Sequence, residues 1–146
     1  MSEALKNKKK SAVAVAKAVE TKEIRPQDGP QESFLATSAD IAIYGGSAFS
    51  GKTFALLLEP LRYVYNKFFA AVCFRRETPQ IRNPGGLWDE SMGLYPQFGA
   101  VPHESVLEYD FPSGAKVKFS HLEQESSVIS WDGAQIPLIM FDQLEH

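Results

Sequence analysis

The fold is decided by the stretch Ile41-Ala42-Ile43-Tyr44-Gly45-Gly46-Ser47-Ala48-Phe49-Ser50-Gly51-Lys52-Thr53. Its last eight residues satisfy the pattern G-x-x-x-x-G-K-S/T, which is typical of loops that bind nucleotide phosphates. Glycine lets the backbone amides of such a loop converge on a polyphosphate, while the lysine reaches the outer phosphates and the threonine hydroxyl binds Mg²⁺. We therefore expect an ATP site formed by Gly46, Ser47, Ala48, Phe49, Ser50, Gly51, Lys52 and Thr53. In it, Lys52 is also a candidate catalytic residue and Thr53 a metal ligand.

The surrounding residues alternate between strand and helix patterns. The apolar run 41–44 before the glycines predicts a buried parallel strand. From Thr53 onward, apolar residues recur at spacings of three and four, which predicts a helix that Pro60 should kink. We also predict strands at 69–74 and 136–141, a loop at 78–86, a short helix near 87–94, and a hairpin formed by 106–111 and 115–120. This order indicates an α/β fold.

A carboxylate follows the last predicted strand. Asp142 comes directly after four apolar residues, and a phosphate-binding loop needs an acid at a strand end to hold the Mg²⁺ shell, so we expect Asp142 to be a metal ligand. Many ATPases of this class place a glutamate next, to deprotonate the attacking water. Here the next residue is Gln143, whose amide can orient water but cannot take its proton. Glu145 either replaces that base or is a solvated acid, so Gln143 and Glu145 are both candidate catalytic residues.

Composition and charge set further bounds. The 146 residues, 44% hydrophobic, suffice for one domain, and no apolar run is long enough to cross a membrane. Cys73 lies in an apolar run, which fits a buried thiol in a reducing cytosol. Residues 1–30 carry an excess of three basic residues, and residues 31–146 an excess of six acidic ones. We expect residues 1–30 to be a flexible or partner-ordered basic tail, and charge alone does not favour nucleic-acid binding by residues 31–146.

Several segments, taken in order, resemble the large subunits of tailed-phage terminases. The segment 45–59 is similar to the family's phosphate-binding loop and the Ala/Leu-rich helix after it. The resemblance continues through Phe74-Arg75-Arg76-Glu77-Thr78, Gly85-Gly86-Leu87-Trp88-Asp89-Glu90-Ser91, Leu94-Tyr95-Pro96, Phe111-Pro112-Ser113-Gly114-Ala115, His121-Leu122-Glu123, Gly133-Ala134 and Phe141-Asp142-Gln143-Leu144-Glu145-His146. It covers residues 30–146, and the combination of segments is uncommon in other proteins with this loop.

The resemblance implies a function and a fold. It implies an ATPase that drives viral DNA into a procapsid, with ATP and Mg²⁺ as cofactors and a P-loop NTPase sheet of the ASCE type carrying an inserted β-hairpin. The implied partners are double-stranded phage DNA, the portal protein, the small terminase subunit and other copies of the chain in a ring, in the host cytoplasm and with no membrane partner. By the same resemblance Gln31 would contact adenine, and Arg75 or Arg76 would face the nucleotide or a neighbouring subunit. We take Arg76 as the candidate; the alternative is that both arginines are solvated at a strand end.

Two departures from the family pattern set the remaining expectations. Gln143 stands where the family has its catalytic glutamate, which predicts ATP binding with weak or absent turnover. The sequence stops after Asp142 and four further residues, so we expect an incomplete sheet that lacks the strand between 41–44 and 136–141, low stability, and no encoded nuclease. The alternatives are a prophage remnant that only binds nucleotide, an interaction module, or another motor of helicase type.

Overall fold

The computed structural model of the chain describes residues 23–47 and 50–143. Within them, the helices are α1 (Pro30–Leu35), α2 (Lys52–Leu58), α3 (Thr78–Arg82), α4 (Leu87–Met92) and α5 (Glu125–Ile129). The strands are β1 (Ala70–Arg75), β2 (Val101–His103), β3 (Glu108–Asp110), β4 (Lys116–His121) and β5 (Leu138–Phe141). Two 3-10 segments, Glu59–Arg62 and Tyr95–Phe98, complete the order. None of the described helices is long and apolar enough to cross a membrane.

The five strands form one mixed sheet with the order β2-β3-β4-β1-β5. Strand β1 is central among the parallel strands, because it pairs in parallel with both β4 and β5. Strands β2, β3 and β4 are joined by antiparallel pairing. The parallel strands β1, β4 and β5 therefore end at the same edge of the sheet, which is where polar side chains from different segments can meet.

The core lies on one face of this sheet. Alternate residues of β1, among them Ala71 and Cys73, point toward it together with Val117 and Phe119 of β4 and Met140 of β5. The helices and 3-10 segments cover this face with Leu57, Leu61, Leu87, Trp88 and Tyr95. The rings of Trp88, Tyr95, Tyr109 and Phe119 pack against one another at centroid distances of 4.6–6.3 Å. Tyr95 Oη also donates to the carbonyl of Leu57 at 3.0 Å, which ties α2 to this cluster.

Most predicted elements are present, with shifted ends. The strands at 69–74 and 136–141, the hairpin and the helix near 87–94 correspond to β1, β5, the β3–β4 pair and α4. The helix after Thr53 gives way to a 3-10 segment at Glu59–Arg62, in which Pro60 cannot donate the next helical hydrogen bond. The segment 78–86 was expected to be a loop, but α3 occupies its first half. A capping box between Glu77 and Gln80, and a proline in the first turn, favour a helix there.

The predicted strand at 41–44 is wrong. The segment pairs with no strand among the described residues, and the side chains of Ile41 and Ile43 are both 84% exposed. A buried strand needs a neighbour on its hydrogen-bonding edge, and 41–44 does not pair even with β5, which is bonded to β1 alone among the described strands. Tyr44 makes the one aromatic contact of the segment within the described residues, stacking on Phe34 with centroids 5.1 Å apart.

Candidate functional site

The candidate site lies at the edge of the sheet where β1 and β5 end. The parallel register pairs Phe74 with Phe141, and the backbone N–H of Asp142 donates to the carbonyl of Phe74 at 2.9 Å. Asp142 is two positions beyond Met140, so its side chain points to the same face as that core residue. It is therefore only 7% exposed and lies beside the first turn of α2.

The carboxylate of Asp142 joins two other elements. Thr53 Oγ1, in the first turn of α2, lies 3.2 Å from Asp142 Oδ2 and 3.5 Å from Oδ1. Arg75 donates to Asp142 Oδ2 from Nε at 2.9 Å and from Nη2 at 2.6 Å. The resulting ion pair is buried, with the two side chains 9% and 6% exposed. The structure thus brings together the two expected metal ligands, Thr53 and Asp142, and adds an arginine to them.

Lys52 lies inside the glycine-rich loop. Its Nζ donates to the carbonyl oxygens of Gly46 and Ser47 at 2.6 and 2.7 Å, and lies 3.3 Å from Ser50 Oγ. The ammonium group thereby holds the start of the loop against the start of α2. Ala48 and Phe49, also expected to bind nucleotide, lie outside the described residues. The lysine and the described loop residues are consequently in direct contact with one another.

Gln31 contacts the end of this loop. Its side chain is 2% exposed, with Nε2 donating to the carbonyl of Gly51 at 3.0 Å and Oε1 accepting from the backbone N–H of Gln27 at 2.9 Å. Gly51 has φ 73° and ψ 18°, a left-handed conformation that favours glycine. A Cβ there would also come within 3.0 Å of Gln31 Nε2. The structure therefore places Gln31 against the backbone of the loop, near the expected phosphates.

The remaining candidates lie at the rim of the site. Arg76 is exposed at the end of β1. Gln143 is exposed and has a φ of 58°, which is uncommon for a residue other than glycine. Both line a cleft of about 270 Å³ that also contacts Arg75 and Asp142. Glu145 lies outside the described residues.

The resemblance pointed to Arg75 or Arg76, and Arg76 was the candidate chosen, but the structure places Arg75 against Asp142. Arg75 is buried and bound to Asp142, whereas Arg76 faces solvent. The signal was available in the alternation of β1, since Cys73 and Arg75 are two positions apart and must share a face. It was missed because an arginine at a strand end is usually solvated.

Two ionisable groups near the ion pair, Cys73 and Glu90, have raised pKa values. Burial raises the pKa of the Cys73 thiol well above its usual range, with the charge of Asp142 adding to the rise and Arg75 opposing it. Partial burial likewise raises the pKa of Glu90, with the same two charges acting in the same senses. Cys73 is therefore a neutral thiol behind the site, without the thiolate character of a nucleophile.

Fold and site together define a mixed α/β protein that holds a glycine-rich loop, a threonine and a carboxylate at one edge of its sheet. Residues 43–146 match the family described as terminase large subunit, T4likevirus-type, N-terminal. Because this match covers most of the chain, the chain belongs to that family. Membership supports a role in a phage DNA-packaging motor. Searches of curated proteins and of solved structures found no match.

Proposed function

We propose that the chain is the ATP-binding part of a phage DNA-packaging motor, with a P-loop nucleotide site formed by residues 46–53 and Asp142. The observation that carries the proposal is the 3.2 Å contact between Thr53 Oγ1 and Asp142 Oδ2. It joins the end of the glycine-rich loop to the strand-end carboxylate, two features that are far apart in the sequence. A nucleoside triphosphate is the ligand for which this combination of residues is suited.

The residues at this contact fit Mg²⁺. A hydroxyl and a carboxylate are hard oxygen ligands, and Mg²⁺ is commonly held by one or two of these together with waters and substrate phosphates. Among residues 23–47 and 50–143, no cluster of three or more His, Cys, Asp or Glu side chains can hold a metal alone. This agrees with an ion that the nucleotide itself helps to coordinate. When bound, Mg²⁺ neutralises part of the phosphate charge.

Lys52 is the residue that would bind the outer phosphates. Its ammonium is now held by two loop carbonyls, which are neutral acceptors. Charged phosphate oxygens are stronger acceptors for an ammonium group. We expect Lys52 to exchange these carbonyls for phosphate oxygens, and Gln31 to keep the loop in place by holding the carbonyl of Gly51 at 3.0 Å. A contact of Gln31 with adenine remains part of the proposal.

Nucleotide binding can be tested directly by isothermal titration of the full chain with ATP and Mg²⁺. Changing Lys52 to Ala removes a charged donor worth about 1.5–3 kcal/mol, so binding should weaken about 10–100-fold. The matched control is Lys67→Ala, which removes an equal charge from an exposed position and should leave the affinity unchanged. Equal affinities for wild type and Lys52→Ala would refute the proposed site.

Hydrolysis is a separate part of the proposal. Gln143 can position a water molecule by hydrogen bonding but cannot accept its proton, and loss of a general base commonly costs about 10²–10⁴-fold in rate. We therefore propose binding with weak turnover, and a nucleotide-binding role without hydrolysis is the second candidate function. Steady-state ATPase rates of wild type and Gln143→Glu distinguish the two. A large gain in Gln143→Glu supports the base deficit, and equal rates count against it.

The implied partners are proposed from family membership. They are double-stranded phage DNA, the portal protein, the small terminase subunit and further copies of the chain in a ring. Lys and Arg do not exceed Asp and Glu over the whole sequence, whose net charge is −3. DNA contact by this chain would therefore need a local basic surface. Salt-dependent retention of the chain on double-stranded DNA tests this part.

A further inference from the structure

We infer that Arg75 is a positioning residue for the carboxylate that would bind the metal: it occupies Asp142 Oδ2 and leaves Oδ1 available to a cation. The inference rests on the proposed nucleotide site and adds to it a residue whose role neither the loop pattern nor the strand-end carboxylate specifies. It is argued from the division of contacts between the two carboxylate oxygens.

The contacts of Asp142 are unequal. Oδ2 receives two N–H donors from Arg75, at 2.9 and 2.6 Å, and Thr53 Oγ1 at 3.2 Å. Oδ1 has a single longer contact among the described residues, Thr53 Oγ1 at 3.5 Å. A carboxylate oxygen has two lone-pair directions, so Oδ2 is fully engaged while Oδ1 can still accept a metal ion or its water.

Two further contacts hold Arg75 in place. Its Nη1 donates to the carbonyl of Gln80 in α3 at 2.6 Å, and its own carbonyl accepts from the backbone N–H of Leu122 at 3.1 Å. The contact with Gln80 orients the guanidinium group independently of Asp142. Because two other donors of the same group hold Oδ2, the rotamers open to Asp142 are restricted.

The position of the pair on the sheet explains why it faces the loop. Arg75 and Asp142 extend the parallel register one step beyond Phe74 and Phe141. Both side chains point to the core face, which α2 covers. A carboxylate on that face without a fixed partner could rotate away from Thr53. Arg75 prevents this rotation.

The test compares Arg75→Lys with Arg82→Lys in the full chain. Lysine keeps the charge but cannot make the two-donor contact, and Arg82 is an exposed arginine outside the site, at the end of α3. Isothermal titration with ADP is performed in EDTA and at increasing Mg²⁺, after circular dichroism has shown that each variant is folded. Arg75→Lys should bind ADP in EDTA like wild type and need about 10–100-fold more Mg²⁺ for the metal-dependent gain in affinity. Arg82→Lys should match wild type in both measurements.

The possible outcomes separate the proposed function from the positioning role of Arg75. A wild type that binds no ADP refutes the proposed function, and with it this inference. A wild type that gains affinity from Mg²⁺ while Arg75→Lys gains it at the same concentration refutes the positioning role alone. An equal loss in EDTA and in Mg²⁺ also refutes it, because a merely structural arginine would weaken both.

A second measurement needs no variant and so remains decisive if Arg75→Lys does not fold. The Nε–H group of Arg75 is buried against Asp142 and should give a slowly exchanging ¹⁵N–¹H signal. If Arg75 positions Asp142, this signal persists when Mg²⁺ and ADP are added, because the metal uses the other oxygen. Disappearance of the signal would mean that the metal displaces Arg75, which overturns the inference.

Discussion

Replacement of Gly51 by Ala tests whether Gln31 and the glycine-rich loop form one unit. Gly51 has φ 73°, and a residue with a Cβ loses about 1–2 kcal/mol in that conformation. The new Cβ would also come within 3.0 Å of Gln31 Nε2 and force that amide to move. Gln31 would then lose its bonds to Gly51 and Gln27, each worth about 0.5–1.5 kcal/mol. We expect Gly51→Ala to lower the free energy of unfolding by about 2–5 kcal/mol in total.

The two contributions separate in a double-mutant cycle measured by urea unfolding. In a Gln31→Ala background no amide has to move, so Gly51→Ala should cost only the conformational part, about 1–2 kcal/mol. The expected coupling between the two sites is therefore about 1–3 kcal/mol. The matched control is Gly85→Ala, since Gly85 also has φ 73° but nothing within 4 Å of the added carbon. Gly85→Ala should cost the conformational part and show no coupling to Gln31.

If the Gly51 and Gln31 effects add within about 0.5 kcal/mol, which is the range for independent sites, Gln31 and the loop do not form one unit. The same conclusion holds if Gly51→Ala costs no more than Gly85→Ala. Either result would mean that Gln31 moves aside freely and does not hold the loop.

Three further predictions concern the core and the ion pair. Arg75→Met leaves Asp142 buried without its partner and should destabilise the chain by about 3–5 kcal/mol in urea unfolding, whereas adding Asp142→Leu should recover most of that loss; no recovery would show that the pair is not coupled. Burial raises the pKa of Tyr109 to about 12 from its ordinary 10.0. Its stabilisation is thus fully present below pH 10 and lost as pH rises to about 12, and Tyr109→Phe should flatten that fall in an alkaline unfolding titration. Cys73, fully buried, should react with a thiol reagent at pH 8 only as fast as the chain unfolds, so labelling that is fast and independent of urea would contradict the core placement.

The sequence predicted the elements whose signal is local. Alternation identified the β3–β4 hairpin, and an apolar run ending in an acid identified β5 with Asp142 after it. These succeeded because the side-chain period of a strand is two, whatever the strand pairs with. The helix α3 was not predicted because the Gly, Pro and Asn residues of 78–86 favour a loop. The capping box at its start favours a helix instead.

Pairing partners could not be predicted in the same way. Ile41 and Ile43 have the apolar character of a strand, but their position in a sheet depends on which edge is open to them. Likewise the alternation of β1 puts Arg75 on the face of Cys73, but only the register with β5 places it against Asp142. In both cases non-local pairing decides the partner.

Strand β5 has a practical consequence for work with this molecule. It is hydrogen-bonded on one side to β1 and ends the described sheet. Ile139 and Phe141, which alternate with the core residue Met140, are each about half exposed. Such an edge accepts extended segments from other molecules. We therefore expect aggregation to depend on concentration and time. Dilute, freshly prepared solutions should stay clear, while concentrated ones should slowly form β-rich aggregates that begin at this edge.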